Sequence, residues 1–258
     1  METPKLITLT ESELNEYGCC GFKKPAKTEG FQKKRAWTAQ QISQGLKFRV
    51  LQSPEHGTIG FIEFISGEFC WRAIDACEYM VIHCIMSYAK DLQHKGYGKM
   101  LIDSCYDDAV AAGMAGVAVV TSGDSFLADR DIFVKNGFIT IEKAPPKFEL
   151  MIKKIRKDAL NPSFKGNWDS KAEKHSHGLS IYYSNQCPMV SKWVNEMIDY
   201  ADTYKIPTSV FEINDHIAAQ ECPSPYGTFA LIYNGKLLAS RPVSGGSFAI
   251  TMNKLLKK

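Results

Sequence analysis

The sequence predicts an α/β (α+β) protein of two units: a mixed, mostly antiparallel sheet flanked by helices, then a smaller α/β unit. Three observations lead there. An apolar run, Tyr79 to Tyr88, precedes Gln93-His94-Lys95-Gly96-Tyr97-Gly98, after which Leu101, Cys105, Ala109 and Ala112 recur at helical spacing. A polar tract, Lys153 to Gly178, carries breakers at Pro162 and Gly166. Beyond it, strand-length apolar runs alternate with a helical stripe and reach an Asn234-Gly235 turn. The expected division is 1–154, a linker or crossover over 155–178, and 179–258.

Taken in order, Leu6 to Leu9 reads as a short strand and Glu11 to Tyr17 as a helix with Thr10 as its N-cap. Cys19 to Arg35 is basic and turn-rich, a solvated loop and helix face, or else a patch for phosphates or an acidic substrate. Cys19-Cys20 reads as packing. Trp37 to Gly45 fits a helix ending at its glycine. Leu46 to Leu51 and Thr58 to Ile65 make a hairpin about a turn-forming segment, and Tyr79 to Tyr88 lies beside it after an irregular stretch, Ser66 to Glu78. Gly116 to Thr121 is apolar enough for a buried strand. Ser125 to Asn136 is helical and closes at Gly137, and Phe138 to Glu142 pairs with Phe148 to Ile152.

In the second half, Leu179 to Ser184 is a strand, and Val190, Trp193, Val194, Met197, Ile198 and Ala201 share one face of the next helix. Thr208 to Ile213 follows as a strand and Asp215 to Gln220 as a short helix. Thr228 to Tyr233 and Lys236 to Ser240 form the Asn-Gly hairpin, and Ser247 to Leu256 is the last helix.

Bulk properties narrow the function. At 258 residues, 45% hydrophobic and 23% charged, the chain is long enough for two cores. A net charge of +3, without an arginine-rich arm, does not point to nucleic acid. No run of about 20 apolar residues and no N-terminal signal pattern occur, so no membrane partner and a cytoplasmic location are expected. The eight cysteines lack paired Cys-x-x-Cys spacing, and His175 and His177 read as surface residues of a polar tract, so no metal site is expected.

The glycine loop carries the chemistry. Glycines at 96 and 98 let backbone approach a bulky anion, while the first amides of the following helix point outward with the positive dipole end behind them. It lacks the third glycine of a dinucleotide fingerprint and the Gly-Lys-Ser/Thr of a P-loop. Gln93-His94-Lys95-Gly96-Tyr97-Gly98 resembles the Gln/Arg-x-x-Gly-x-Gly signature of the GNAT superfamily of N-acetyltransferases. The element order over Leu6 to Lys154 and the Asn136-Gly137-Phe138 corner resemble that superfamily as well.

The resemblance implies acetyl-CoA as co-substrate, its pyrophosphate on the amides of Gln93, His94, Lys95, Gly96, Tyr97, Gly98 and Lys99, and its pantetheine arm along Met86, Ser87 and Tyr88. It also implies a base that deprotonates an amine, for which His83 and Glu63 are the candidates. Trp71, Arg72 and Asp75 are expected on the acceptor side. The superfamily's tyrosine acid falls on Phe133, which cannot donate a proton, leaving Ser125, Tyr88 or water as substitutes, or transfer without a dedicated acid.

Ser184-Asn185-Gln186-Cys187-Pro188 and Pro225-Tyr226-Gly227-Thr228-Phe229 resemble the YoaP-type domain, and the element order resembles a thioredoxin-like fold. Cys187 then sits at a helix N-terminus, where the dipole favours a thiolate. Val190 occupies the resolving position, which argues against dithiol reduction, and Cys222 is a remote candidate partner. The expected activity is acetyl transfer to a small-molecule amine, with the second unit assisting acceptor binding or redox control; a homodimer is left open. The alternative is a thiol-based redox or metalloid-binding protein whose first half only senses acyl-CoA.

Overall fold

The structure is a computed structural model, described for residues 4–20, 22, 24–88, 95–124 and 126–257. The chain divides into two compact units, residues 1–70 with 74–164, and residues 71–73 with 165–258. The division falls inside the tract read as a linker, which supplies a short strand to the first unit and a helix to the second.

The first unit contains β1 (Lys5–Thr8), α1 (Glu29–Ser43), β2 (Lys47–Ser53), β3 (Gly57–Ser66), β4 (Ile74–Asp75), β5 (Tyr79–Ser87), α2 (Tyr97–Ala111), β6 (Gly116–Ser122), α3 (Arg130–Lys135), β7 (Ile139–Ala144), β8 (Phe148–Lys154) and β9 (Ser163–Phe164). Seven strands form one sheet in the order β1-β2-β3-β5-β6-β8-β7, and β4 pairs separately with β9. Every pairing in the large sheet is antiparallel except β5 with β6. Helix α2 is the connection that parallel neighbours require.

Both faces of the sheet are covered. On one, Leu101, Ile102, Cys105 and Ala109 of α2 and Phe133 of α3 pack against Ile62, Phe64, Ile82, Val117 and Met151. On the other, Phe31 of α1 meets Phe48, Val50 and Phe61, with Leu9, Leu14 and Cys19 closing the edge. Strand β3 is consequently buried over eight consecutive residues, a continuous apolar run broken by Glu63.

Helix α1 begins eight residues before the helix expected from Trp37 and absorbs Lys33, Lys34 and Arg35 of the basic stretch. Its buried stripe is Phe31, Lys34, Trp37, Thr38 and Gln41. The spacing is helical, but three of the five positions are polar, so hydropathy alone does not reveal it. The helix expected over Glu11 to Tyr17 is a single tight turn at Ser12–Asn15, where Glu13 accepts the Thr10 amide at 2.8 Å. The Ser125 helix shortens to Arg130–Lys135, with Asp129 capping the Asp131 amide at 2.7 Å.

The second unit contains α4 (Trp168–Glu173), β10 (Leu179–Tyr183), α5 (Val190–Thr203), β11 (Thr208–Glu212), α6 (His216–Gln220), β12 (Phe229–Tyr233), β13 (Lys236–Ala239) and α7 (Gly245–Leu256). Its four-stranded sheet runs β11-β10-β12-β13, parallel between β10 and β11 and antiparallel elsewhere. Val190, Val194, Met197 and Ala201 form the buried face of α5, and Tyr200 joins α7 through an edge contact with Phe248 at 5.3 Å. Among the described residues, no helix is long and apolar enough to cross a membrane.

Candidate active site

The site in the first unit starts from a defect in the sheet. Glu63 pairs with Cys84 and Phe64 with Ile82, so one step along β3 spans two along β5 and His83 is a bulge. A bulged residue drops out of the ladder and sharpens the local twist. On its other side, β5 pairs with β6 only from Tyr79↔Gly116 to Ile82↔Val119, although the strands continue to Ser87 and Ser122. The parallel pair is therefore a fork that opens at the bulge. Met86 and Ser87 are exposed and Tyr88 is half-buried on the β5 arm.

Helix α2 starts next along the chain. Gly96 caps it at φ +83°, a left-handed conformation that suits glycine. The first helical bond runs from the Met100 amide to the Gly96 carbonyl at 3.0 Å, which leaves the Tyr97, Gly98 and Lys99 amides outside the helical ladder. No side chain caps them among the described residues. At Gly98 a Cβ would fall 2.6 Å from Ile132 Cδ1, so α3 is close because this residue has no side chain. Lys95 and Lys99 are exposed beside the turn. Gln93 and His94 lie outside the described residues, as does Ser125.

The two candidate bases prove to be partners. Glu63 lies wholly buried between the Lys34 ammonium, which donates to Oε2, and His83, whose Nδ1 is 3.3 Å from Oε1. Burial alone would raise the carboxyl, but the Lys34 charge and the His83 contact outweigh it and hold Glu63 down at about 2. A carboxylate held that firmly ionised is a poor proton acceptor at neutral pH. Burial would likewise lower Lys34, yet the Glu63 charge, with the adjacent Cys20 and Cys19, holds it above its ordinary value. The ammonium also lies 4.3 Å from the centre of the Trp37 ring. Lys34 is therefore neither on a solvated face nor in a surface patch for phosphates or an acidic substrate, the two readings open for the basic stretch. Its helical spacing from Phe31 and Trp37 was the available signal.

Phe133, at the position where the acid was sought, is fully buried and packs edge-on against Phe138 at 5.3 Å. The Tyr88 hydroxyl is buried, and burial followed by the neighbouring thiols raises its pKa, making it a weaker acid than ordinary tyrosine.

Trp71, Arg72 and Asp75 do not form one set. Asp75 is exposed in β4, whereas Trp71 and Arg72 are buried in the second unit. Arg72 Nη1 donates to the Trp71 carbonyl at 2.7 Å and to Gln186 Oε1 at 2.8 Å, and the guanidinium lies 5.2 Å from the Tyr226 ring centre. These contacts tie residues 71–73 into the second unit. Gly227 makes the anchoring feasible, because at φ +83° a Cβ there would meet Arg72 Cα at 2.6 Å.

Cys187 is half-buried and precedes α5 rather than opening it, with its carbonyl accepting the Val190 amide at 3.3 Å. Cys222 is buried beside Ser224, and burial pushes its thiol up to about 12. His175 is occupied by Tyr182 at 2.8 Å and Ser180 at 3.2 Å. No cluster of His, Cys, Asp or Glu fit to hold a metal occurs among the described residues.

Among solved structures, yncA from Salmonella typhimurium with its cofactor acetyl-CoA aligns with TM-score 0.43 and 13% identity, covering 62% of this chain and 98% of that one. Ribosomal-protein-S5-alanine acetyltransferase from Vibrio fischeri aligns with TM-score 0.43 and 12% identity, covering 62% and 97%. Residues 207–249 match the YoaP-like family. Over 252 residues, 96% of this chain and 98% of its relative, the sequence is 25% identical to the uncharacterized N-acetyltransferase YoaP of Bacillus subtilis (strain 168), and so is similar to an N-acetyltransferase through both of its units.

Proposed function

We propose that the protein is an acetyl-CoA-dependent N-acyltransferase of the GNAT type that acetylates the amine of a small molecule. The observation that carries this reading is the fork between β5 and β6, opening at His83 and leading into the uncapped N-terminus of α2. The residues fit an acyl-CoA. The Tyr97, Gly98 and Lys99 amides, with Gln93, His94, Lys95 and Gly96, would hold its pyrophosphate. Met86, Ser87 and Tyr88 would hold the amide-bearing arm as an added strand on the open edge of β5.

When bound, the donor supplies an acetyl thioester. The bulge at His83 offers main-chain groups outside the ladder to polarise that carbonyl. His83 is the base of this reading, and Glu63 orients the ring and favours its cationic form once a proton is taken from the acceptor's ammonium. Lys34 keeps Glu63 ionised. With Phe133 in the core, the leaving thiolate is protonated by solvent.

We assign the second unit a thioredoxin-like fold on its strand order and place Cys187 as a single thiol beside acceptor binding or redox control, since Val190 removes a second cysteine. All eight cysteines are free, which suits the cytoplasm. Coenzyme A release measured with amines, amino acids and thiols tests the reading. Turnover with an amine is expected, and its loss in His83→Gln with acetyl-CoA binding retained. Acetyl-CoA binding without turnover by any amine, joined to a thiol-exchange activity that Cys187→Ser abolishes, would favour a redox protein with an acyl-CoA sensor.

A further inference from the structure

Beside the Lys34-Glu63-His83 cluster, the first unit gathers three thiols that acyl transfer does not use. Cys20 makes side-chain contacts at hydrogen-bonding range with both Cys19 and Cys84. Cys19 is buried, whereas Cys20 and Cys84 are half-buried. The trio packs on the cluster built from Phe31, Phe48 and Phe61, and the Tyr88 hydroxyl beside it is buried without a hydrogen-bond partner among the described residues. Cys84 stands opposite Glu63 in the β3/β5 ladder, next to the bulge. Cys20 is held at φ +51°, a left-handed conformation unusual for a residue with a side chain.

We propose that Cys20 and Cys84 form a dithiol modification site, in which Cys20 exchanges with a low-molecular-weight disulfide and Cys84 resolves the adduct into a reversible Cys20–Cys84 bridge. Covalent geometry selects the partner. Adjacent residues have Cα atoms about 3.8 Å apart, short of the roughly 4.4–6.8 Å that disulfides span, so Cys19 is a poor partner for Cys20. Cys84, on another element and already in contact, carries no such restriction. Contact geometry selects the nucleophile: Cys20 alone of the three touches both of the others, and electrostatics agree. Hydrogen bonds from Cys19 and then Cys84, aided by the Lys34 charge, outweigh burial and the Glu63 charge and lower the Cys20 thiol well below its ordinary pKa. The same contacts raise Cys19 and Cys84, which keep their protons.

In the first step the Cys20 thiolate attacks one sulfur of R–S–S–R. That bond breaks, a Cys20–S–S–R bond forms, and the departing RS⁻ takes up the proton Cys20 gave to solvent. In the second, Cys84 loses its proton and attacks Cys20 Sγ, expelling the other RS⁻, which is protonated in turn. Two protein thiols are oxidised and one disulfide is reduced to two thiols.

The test uses the full-length protein and 2-hydroxyethyl disulfide, followed by alkylation of remaining thiols and peptide mapping by mass spectrometry without reduction. The expected product is a linked pair of peptides carrying Cys20 and Cys84, separated again by a dithiol reductant. In a folded Cys84→Ser variant, a persistent hydroxyethyl adduct on Cys20 is expected. Recovery of Cys20 and Cys84 in the wild type as separately alkylated thiols, or of Cys20 bridged to Cys19, overturns the proposal. So does an unmodified Cys20 in folded Cys84→Ser while the exposed Cys77 is modified. The wild-type map decides alone where that variant does not fold, and no readout depends on acyl transfer.

Discussion

Lys34 of α1 and Glu63 of β3 form an ion pair closed to water, with side-chain exposures of 1% and 0%. Two charges removed from solvent survive there because each satisfies the other, His83 takes the second carboxylate oxygen and Trp37 faces the ammonium. Removing one partner strands the other, a cost that typically reaches about 3–5 kcal/mol. Lys34→Met should lower stability in urea by about that much, and Lys34→Met with Glu63→Leu by less than the sum of the single losses. Additive losses would show that the pair is not coupled as described.

The same pair sets a pH dependence. Glu63 is held at about 2 in the fold against an ordinary 4.5, so its contribution to stability is present above pH 4.5 and fades as the pH falls toward 2. Lys34 is held above its ordinary 10.5, so its contribution is present below that and fades as the pH rises through the folded value. Denaturation midpoints of the wild type should drop steeply on the acid side, and Glu63→Gln should flatten that limb. An unchanged acid limb in the variant would count against the assignment.

His83 and Glu63 should separate in kinetics. As the base, His83→Gln should lower kcat by about 10²–10⁴-fold with acetyl-CoA affinity within about twofold of wild type. Glu63→Asp, which keeps the charge with a shorter reach, should retain more activity than Glu63→Gln, because Glu63 acts through the histidine. Equal kcat in His83→Gln and wild type removes His83 from the mechanism.

For the glycine turn, Gly98→Glu forces Ile132 aside and puts a negative charge where the diphosphate is expected, and Gly96→Arg places a side chain at φ +83°. Both should weaken acetyl-CoA binding in titration calorimetry by more than tenfold with circular dichroism unchanged. Wild-type affinity in folded Gly98→Glu would move the donor elsewhere.

In the second unit, Gln186→Leu removes an acceptor from the buried Arg72 guanidinium and should cost about 1.5–3 kcal/mol. Gly227→Ala should cost at least as much, since its Cβ would overlap the backbone of Arg72 and Ala73. Thermal unfolding of both variants measures this. If Arg72 instead held an acceptor, Arg72→Met would raise the acceptor KM and leave the melting temperature alone.

Local signals were legible where one residue type has one physical consequence. Gly137 after α3, at φ +84°, and the Asn234-Gly235 turn stand where the chain placed them, because few other residues tolerate positive φ. Apolar periodicity located β3, β5, β6, α2 and α5. The same rule failed for α1, whose inner stripe carries Lys34, Thr38 and Gln41.

By itself, then, the sequence determined the main strands and helices of strong apolar periodicity, the glycine-led start of α2 and the absence of a tyrosine at position 133, since these follow from short-range conformational preference and residue chemistry. Only the tertiary structure decided that His83 is a bulge, that Glu63 is bound to Lys34, that Arg72 belongs to the second unit, and that Cys20 meets Cys84. Each of those joins residues 20 or more positions apart. Whether a charge is solvated or a thiol is flanked by another depends on which surfaces the folded chain brings together, and side-chain identity does not encode that locally.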